Sequence, residues 1–533
     1  MKKVLGHRAY WCDSCHVPLL GEKCLACGKK GRDLASGSLV PVFRPEIMFL
    51  RKTIGNELKK PIPELETWVL HTHYSYFVQG VQFLKLSRPG NGGPTILEQP
   101  TPLRRSKKVF LEALRRANEG YVKELQYEAE NFIRETALKF IGSAVLVSFS
   151  GGKDSTVVSN LVMNALGRSD ILHIFADTTI ELPDTYEYLK KFKLQHPLTP
   201  LVACKSPLDF FDTAKKIGPP SRILRWCCTT HKTNPLSKLI KSMSPDKGVL
   251  TFDGVRRSES PRRSNYPRIS VQHKIRGESI ARPILNWSDF QVWIYMLFHG
   301  LEFNDAYKKG LRRVGCLHCP FNSDWSMMMI NYRYPEEGKL WHEFLLEQAH
   351  DMNHPNIKVF AKRGWRVRAG GRGLDFYKSS IESAPCLLSD SAITYQILGG
   401  DIRLAKHFLR PLGPQVFLNN NQYSESFIIQ DRQNGEIFAT VEVSFSDEAI
   451  RVNYLKKKNR RLFQQRVEKQ IRKLQSCIYC GACEEKCPSQ AITTNNTFYV
   501  NADKCVNCLD CVSHNCPAVK ALHFQGENRN GRV

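Results

Sequence analysis

Short apolar runs alternate with longer stretches of helical period between residues 144 and 252, a pattern that predicts a parallel α/β sheet. The runs at 144–149, 171–176, 198–203 and 249–252 have the continuous apolar character of buried strands. The segments 156–166, 182–192 and 208–217 lie between them and read as helices. Upstream, Phe110, Leu114, Tyr121, Leu125, Phe132 and Ile133 recur at broadly helical spacing and predict one or two helices within 106–141. Before these, apolar runs at 68–70 and 83–86 suggest a small β-containing segment, and 87–102, with Pro89, Gly90, Gly92, Gly93, Pro94 and Pro100, reads as a turn-rich linker. Downstream, runs at 427–429, 438–443 and 450–452, broken by Asn434-Gly435, predict a second small β domain. A basic helix over 456–475 follows.

With 533 residues, the chain is long enough for three or four domains, and 42% apolar content is enough for real cores. Sixteen of the eighteen cysteines fall into paired or clustered runs. That usage fits metal and cluster ligation in a reducing cytosol better than a secreted disulfide framework. No stretch has the form of a signal peptide or approaches a membrane span, so the expectation is a soluble cytoplasmic protein with no membrane partner.

The tail carries the densest chemistry. Cys477, Cys480, Cys483 and Cys487-Pro488 are followed by Cys505, Cys508, Cys511 and Cys516-Pro517, the grammar of a two-cluster ferredoxin. In such a module three close thiolates hold one cubane and the distant Cys before Pro completes the other. Cys477, Cys480, Cys483 and Cys516 are therefore assigned to one [4Fe-4S] cluster, and Cys505, Cys508, Cys511 and Cys487 to its partner. A pair of four-cysteine zinc knuckles is the competing reading. At the other end, Cys12, Cys15, Cys24 and Cys27 form two CxxC knuckles around one tetrahedral ion, a zinc ribbon with rubredoxin-like iron as the alternative occupant.

The formal charge of +26 includes local concentrations at Arg262, Arg263 and Arg268; at Lys362, Arg363, Arg366, Arg368 and Arg372; and at Lys456, Lys457, Lys458, Arg460 and Arg461. Such a surface attracts polyanions, and RNA or DNA, an acidic electron carrier and a plain solvated face all satisfy it. Between the first strand and its helix stands Ser150-Gly151-Gly152-Lys153-Asp154-Ser155, the composition of a phosphate loop. The glycines permit close approach of the backbone, hydroxyls and N–H groups surround anionic oxygens, and the helix N-terminus adds positive charge. Lys153 supplies a point charge, and Asp154 is placed to orient the loop or a Mg2+ ion.

SFSGGKDS resembles the pyrophosphatase loop of the adenine nucleotide α-hydrolase superfamily. More narrowly, residues 144–325 resemble the phosphoadenosine phosphosulfate (PAPS) and adenylyl sulfate (APS) reductase family. The matching positions are Asp177-Thr178, Arg225-Trp226-Cys227-Cys228 with Lys232, the Asp253-to-Ser260 block DGVRRSES, Arg282-Pro283-Ile284 with Trp287, and Gly315-Cys316-Leu317-His318-Cys319-Pro320. The resemblance implies that residues 150–155 bind phosphates, that Asp177 lies at the nucleotide pocket, and that Arg256 and Arg257 face an anionic substrate group. Surface charge is the bland reading of that pair. It also implies that Cys227, Cys228, Cys316 and Cys319 hold a third [4Fe-4S] cluster, with zinc or free thiols as alternatives. Lys153, Asp154, Arg256 and Arg257 are the expected catalytic residues.

One departure stands out: the family's C-terminal ECGxH-type nucleophile tail is absent, and Cys204 and Cys386 are the only cysteines outside the four sets. The expected organisation is a zinc ribbon (1–35), an accessory β-containing domain with linker (36–102), a PAPS-reductase-like nucleotide domain (103–380), a small β domain (381–455), a basic linker helix (456–475) and the ferredoxin module (476–533). The expected function is an iron-sulfur enzyme that binds ATP or an adenylyl sulfate and couples it to electrons from a redox donor protein. Its chemistry is sulfonucleotide reduction or ATP-dependent sulfur transfer. Thiolation of tRNA or DNA, and a non-catalytic nucleotide-sensing scaffold, are the rival readings.

Overall fold

The computed structural model of the protein describes residues 8–36, 39–55, 58–70, 74–86, 95–103, 105–243, 248–271, 275, 277–370, 376–386, 389–456 and 459–522. The first half of the 87–102 linker reading, residues 87–94, together with Arg372, Lys457 and Lys458, lies outside these residues.

At the centre is a six-stranded sheet. In spatial order its strands are Leu201–Lys205, Leu172–Asp177, Ala144–Ser148, Val249–Phe252, Glu278–Ala281 and Ile269–Val271. The first five run parallel and the last pairs antiparallel. The chain winds outward from Ala144–Ser148 in one direction, then returns to its other side at Val249–Phe252. The order therefore reverses between those two strands, and the crevice beyond their carboxyl ends is where such sheets bind ligands. The strand expected at 198–203 begins only at Leu201, because Pro197 and Pro200 lack the N–H groups that a ladder requires. The two strands at 269–271 and 278–281 are too short and too mixed in polarity to stand out in the sequence.

The periodic stretch upstream is one uninterrupted helix, Lys107–Lys139, whose first turn is capped by the Ser106 side chain accepting from Val109 N–H. Its buried positions Phe110, Leu114, Ala117, Val122, Leu125, Ala129 and Ile133 pack on the helices Lys153–Leu166 and Asp289–His299 and on the N-terminal strand Val17–Leu19. An antiparallel sheet of three strands holds the N-terminal knuckles, and a five-stranded antiparallel sheet spans 39–96. The helix Arg44–Ile54, with Pro45 in its first turn, interrupts that second sheet. These parts share one apolar core with the nucleotide domain, running from Ala9 and Trp11 through Trp68 and Leu114 to Trp293 and Tyr307.

The segment 382–454 forms a six-stranded antiparallel sheet. Strand Ser424–Gln430 alternates buried and half-buried residues, so one face is turned to the core. That core continues without a break into the tail: Phe427, Val441 and Ile450 pack in the same cluster as Ile471, Phe498 and Cys511, and Phe408 stacks on Phe498 at 4.0 Å. The basic helix is Arg460–Ser476. No described helix is long and apolar enough to cross a membrane.

Asn118 joins the N-terminal sheet to the long helix. It is fully buried, its Oδ1 accepts from Leu20 N–H at 2.8 Å, and its Nδ2 donates to Pro18 O at 2.9 Å and Leu114 O at 3.0 Å. Asn118→Ala strands those buried backbone groups and is expected to cost about 1–3 kcal/mol, read as an earlier midpoint of urea unfolding.

Candidate functional site

The strand Ala144–Ser148 ends at the reversal point of the sheet, and the next four residues turn into the helix Lys153–Leu166. Gly151 makes that turn with φ +69°, and a Cβ on it would press on Thr185 at 3.1 Å. Asn304 holds the Gly151 carbonyl at 3.3 Å, and the Tyr307 hydroxyl accepts from Lys153 N–H at 3.0 Å. Ser150 and Ser155 bring their hydroxyls within 3.2 Å of each other. The loop thus presents two hydroxyls and a helix N-terminus to the crevice, the constellation that receives anionic oxygens.

The loop after the neighbouring strand, Val249–Phe252, closes on it. A Cβ on Gly254 would stand 2.8 Å from the Asp154 carbonyl carbon and 3.0 Å from Ser155 N, so this backbone approach requires glycine. Two residues on, Arg256 is 2% exposed and its guanidinium is shared between two carboxylates: Nε donates to Asp154 Oδ1 at 2.8 Å and NH2 to Asp289 Oδ1 at 2.7 Å. Lys153 Nζ stands 3.0 Å from both Asp154 and Asp289. Two buried cations and two carboxylates from three chain segments therefore form one neutral cluster. Burial alone would strip charge from Lys153, but Asp154 and Asp289 outweigh it and hold the ammonium protonated above the ordinary lysine range. The same balance holds for Arg256.

Arg257 is placed differently. Its Nε donates to Asn286 Oδ1 at 2.9 Å and NH1 reaches Ser264 O, and it is exposed. Arg263 lies near Arg313, and burial together with that like charge lowers its pKa. Asp177 ends its strand with Oδ1 accepting from Thr179 N–H and from the Tyr186 hydroxyl, both at 2.8 Å. Asp289 and Tyr307 were not singled out in the sequence. The only local signal for Asp289 was the capping box Ser288–Gln291 that starts its helix.

The N-terminal thiols lie 3.6 Å (Cys12 to Cys27) and 3.8 Å (Cys15 to Cys24) apart. A tetrahedral zinc-thiolate site has edges of about 3.8 Å, from bonds of about 2.3 Å. Among the described residues this is the only group of cysteine, histidine and acidic side chains, three or more in number, whose ligand atoms all lie within 4.8 Å of one another. No other cysteine set among the described residues meets that spacing. Cys227, Cys228, Cys316 and Cys319 converge from two segments, and their charges act on one another. Arg225 NH2 donates to Cys228 Sγ at 3.5 Å. Lys232 pairs with Glu181 at 3.4 Å, and its pKa, which burial would lower, is raised by Cys316, Glu181 and Cys228. Thr178, next to Asp177, reaches Cys316 Sγ at 3.4 Å, so the thiol set adjoins the end of the strand that Asp177 closes.

In the tail, Cys516 acts on Cys477, Cys480 and Cys483, the four assigned to one cluster. Cys487, Cys505, Cys508 and Cys511 line one small cavity with Pro411 and Leu509. The buried Lys473 donates to the Cys511 and Val512 carbonyls between the two sets, and His514 Nε2 lies 3.2 Å from Cys483 Sγ. The two unassigned cysteines stand in other surroundings. Cys204 is buried among Leu146, Ile174 and Ile240, with its thiol pushed up to about 11 by burial. Cys386 lies in the strand Glu382–Cys386, where Arg451 contacts it at 3.3 Å.

A phosphoadenosine phosphosulfate reductase domain model matches residues 144–322, and a 4Fe-4S binding domain model matches 474–493. Two uncharacterised proteins of Methanocaldococcus jannaschii are 36% identical over 238 residues and 31% identical over 243, each match covering 45% of this chain. These matches span 48% and 57% of the two relatives, so the chain covers about half of their length. The adenosine 5'-phosphosulfate reductase of Halalkalibacterium halodurans is 27% identical over 185 residues, 34% of this chain and 77% of its own. Among solved structures, the phosphate complex of PAPS reductase from Candida auris covers 41% of this chain and 98% of its own at 18% identity, with a TM-score of 0.29. The fold assignment rests on the strand order above and not on that overlap. Residues 144–322 are thus similar to a phosphoadenosine phosphosulfate reductase domain, and the same chain carries at 474–493 a segment similar to a 4Fe-4S binding domain.

Proposed function

We propose that the protein is an iron-sulfur enzyme that binds an adenine nucleotide at the 150–155 loop and couples it to electrons supplied through the tail. The observation that carries this reading is the neutral Lys153–Asp154–Arg256–Asp289 cluster at the reversal point of the sheet. It holds a phosphate loop against a second loop rich in arginine. Nucleotide phosphates are received by the loop N–H groups, the Ser150 and Ser155 hydroxyls and Lys153, an electrostatic role. Asp177, fixed by Thr179 and Tyr186, borders the same crevice. Arg257, Arg263 and Arg313 add positive field for a second anionic group such as a sulfonate.

The donor chemistry of the three wider cysteine sets fits [4Fe-4S] clusters, and that of Cys12, Cys15, Cys24 and Cys27 fits zinc. Bound clusters would supply one-electron carriers, and zinc would supply rigidity to the N-terminal ribbon. For an adenylyl sulfate the balanced reaction takes two electrons, which break the bond between sulfur and the bridging oxygen and release sulfite and AMP. A second reading is favoured by the surroundings of Cys204 and Cys386: Cys204 packs among Leu146, Ile174 and Ile240, and Cys386 meets Arg451 in the separate 382–454 sheet, positions unlike that of a thiol that carries a thiosulfonate. ATP cleavage to AMP and pyrophosphate, activating an acceptor for sulfur transfer, uses the same loop without such a thiol.

Anaerobically prepared protein should contain about twelve irons and one zinc per chain, at four irons per cubane. Elemental analysis giving eight irons and two zincs would make the central set a zinc site. Lys153→Ala should weaken adenine-nucleotide binding at least tenfold by calorimetry, about 1.4 kcal/mol, with the visible spectrum of the clusters retained. Unchanged affinity for both ATP and adenylyl sulfate would remove the loop from the binding site. Arg256→Met leaves two half-buried carboxylates with one cation and should cost about 1–3 kcal/mol of stability. Arg257→Met, at an exposed position, should stay within about 0.5 kcal/mol in the same urea titration.

A further inference from the structure

The central cysteine set and one tail set are packed on a single apolar core: Trp226, Cys227 and Cys316 share it with Ile478, Cys516 and Leu522. Polar contacts pin this junction. The helix Asn234–Met243 starts six residues after Cys228, and from it Asn234 Nδ2 donates to Cys480 O at 3.2 Å. Lys241 Nζ donates to Glu484 O at 3.2 Å and Glu485 O at 2.9 Å, and Lys238 pairs with Glu484 at 3.1 Å. A Cβ on Gly481, at φ +78°, would fall 1.9 Å from Asn234 Nδ2, so the approach is too close for any other residue. Arg368 ties the chain end to the same face through Ala521 O at 2.9 Å.

In the second tail set Cys487, Cys505 and Cys511 are buried and one member reaches the surface. Cys508 is exposed and Val506 is 47% exposed. Around them stand Lys504, Arg410, which donates to Ala502 O, and Arg432, which donates to Cys505 O, against Asp503 and Asp510. An apolar centre with an excess of cations on its rim, in a chain of formal charge +26, suits a partner with an acidic face.

We propose that the tail is a clamped, one-way conduit: an acidic one-electron carrier protein docks over Val506 and Cys508, and electrons leave from the Cys516 side into the central domain. The inference rests on the electron-delivery reading above and adds its direction and its partner. Each encounter oxidises the carrier by one electron and reduces one tail centre by one. Two encounters match one two-electron reduction at the nucleotide site.

The test uses the full-length holoprotein, a reduced acidic [2Fe-2S] ferredoxin as carrier, dithionite as a small reductant, and stopped-flow absorbance with freeze-quench EPR. Lys504→Glu combined with Val506→Glu should slow reduction by the ferredoxin at least tenfold at low ionic strength while dithionite reduces the tail at the wild-type rate. Unchanged ferredoxin kinetics, or equal slowing with both reductants, would overturn the entry face. Lys238→Glu combined with Lys241→Glu should leave ferredoxin reduction unchanged but slow reoxidation of the pre-reduced tail by adenylyl sulfate at least tenfold. Wild-type reoxidation in that variant would overturn the exit. A wild-type tail that adenylyl sulfate never reoxidises would instead count against electron delivery to a sulfonucleotide, whatever the entry-face result.

Discussion

Two buried cations and two half-buried carboxylates hold the crevice in place. Lys153 and Asp154 come from the turn after the first strand of the sheet, Arg256 from the loop after the fourth in chain order, and Asp289 from the start of a later helix. Isolated charges in such surroundings carry a desolvation cost of several kcal/mol each, so none of these segments can bury its own side chain alone. Together they reach neutrality, with every pair at hydrogen-bonding distance. The consequence is geometric: the cluster forces two loops from opposite sides of the sheet reversal into contact, close enough that position 254 tolerates no Cβ. An anionic ligand meets cations already paired with carboxylates. Its binding therefore draws on loop N–H groups and a redistribution of those pairs, a gain the preorganised cluster provides at little reorganisation cost.

The second constraint is covalent economy in the cysteine sets. Four thiols from distant segments can converge only if the backbones that carry them are packed to fixed distances, and here apolar cores do that packing. The 382–454 sheet and the tail share one core, while the tail and the central cysteine set share another. The tail is thus wedged between two partners, unlike a module tethered by a flexible linker. The cationic side chains near the thiols, Arg225 and Lys232 centrally and Lys473 in the tail, offset negative charge that thiolate ligands bring into low-dielectric surroundings.

Much of this was legible in the chain. Strand and helix in the nucleotide domain follow apolar periodicity because both faces of a parallel sheet are buried, and the predicted strands at 144–149, 171–176 and 249–252 agree with the structure to within a residue or so at each end. The phosphate loop and the cysteine sets were legible for another reason. Their residue types and spacings are dictated by local backbone geometry, and local geometry is written in consecutive residues. The short strands at 269–271 and 278–281 and the helix at 44–54 were not legible, since their stability comes from neighbours far along the chain.

By itself, then, the sequence determined the α/β character, the loop that starts the helix at 153 and the grouping of Cys12, Cys15, Cys24 and Cys27, all properties carried by short-range pattern. Only the tertiary structure decided that Asp289 completes the charge cluster, that Arg256 is buried while Arg257 is exposed, and that Cys204 packs among Leu146, Ile174 and Ile240 while Cys386 meets Arg451. The physical reason is common to all of these: burial and charge pairing depend on what packs opposite a residue, and for Asp154, Arg256 and Asp289 the opposing partner lies 33 to 102 positions away.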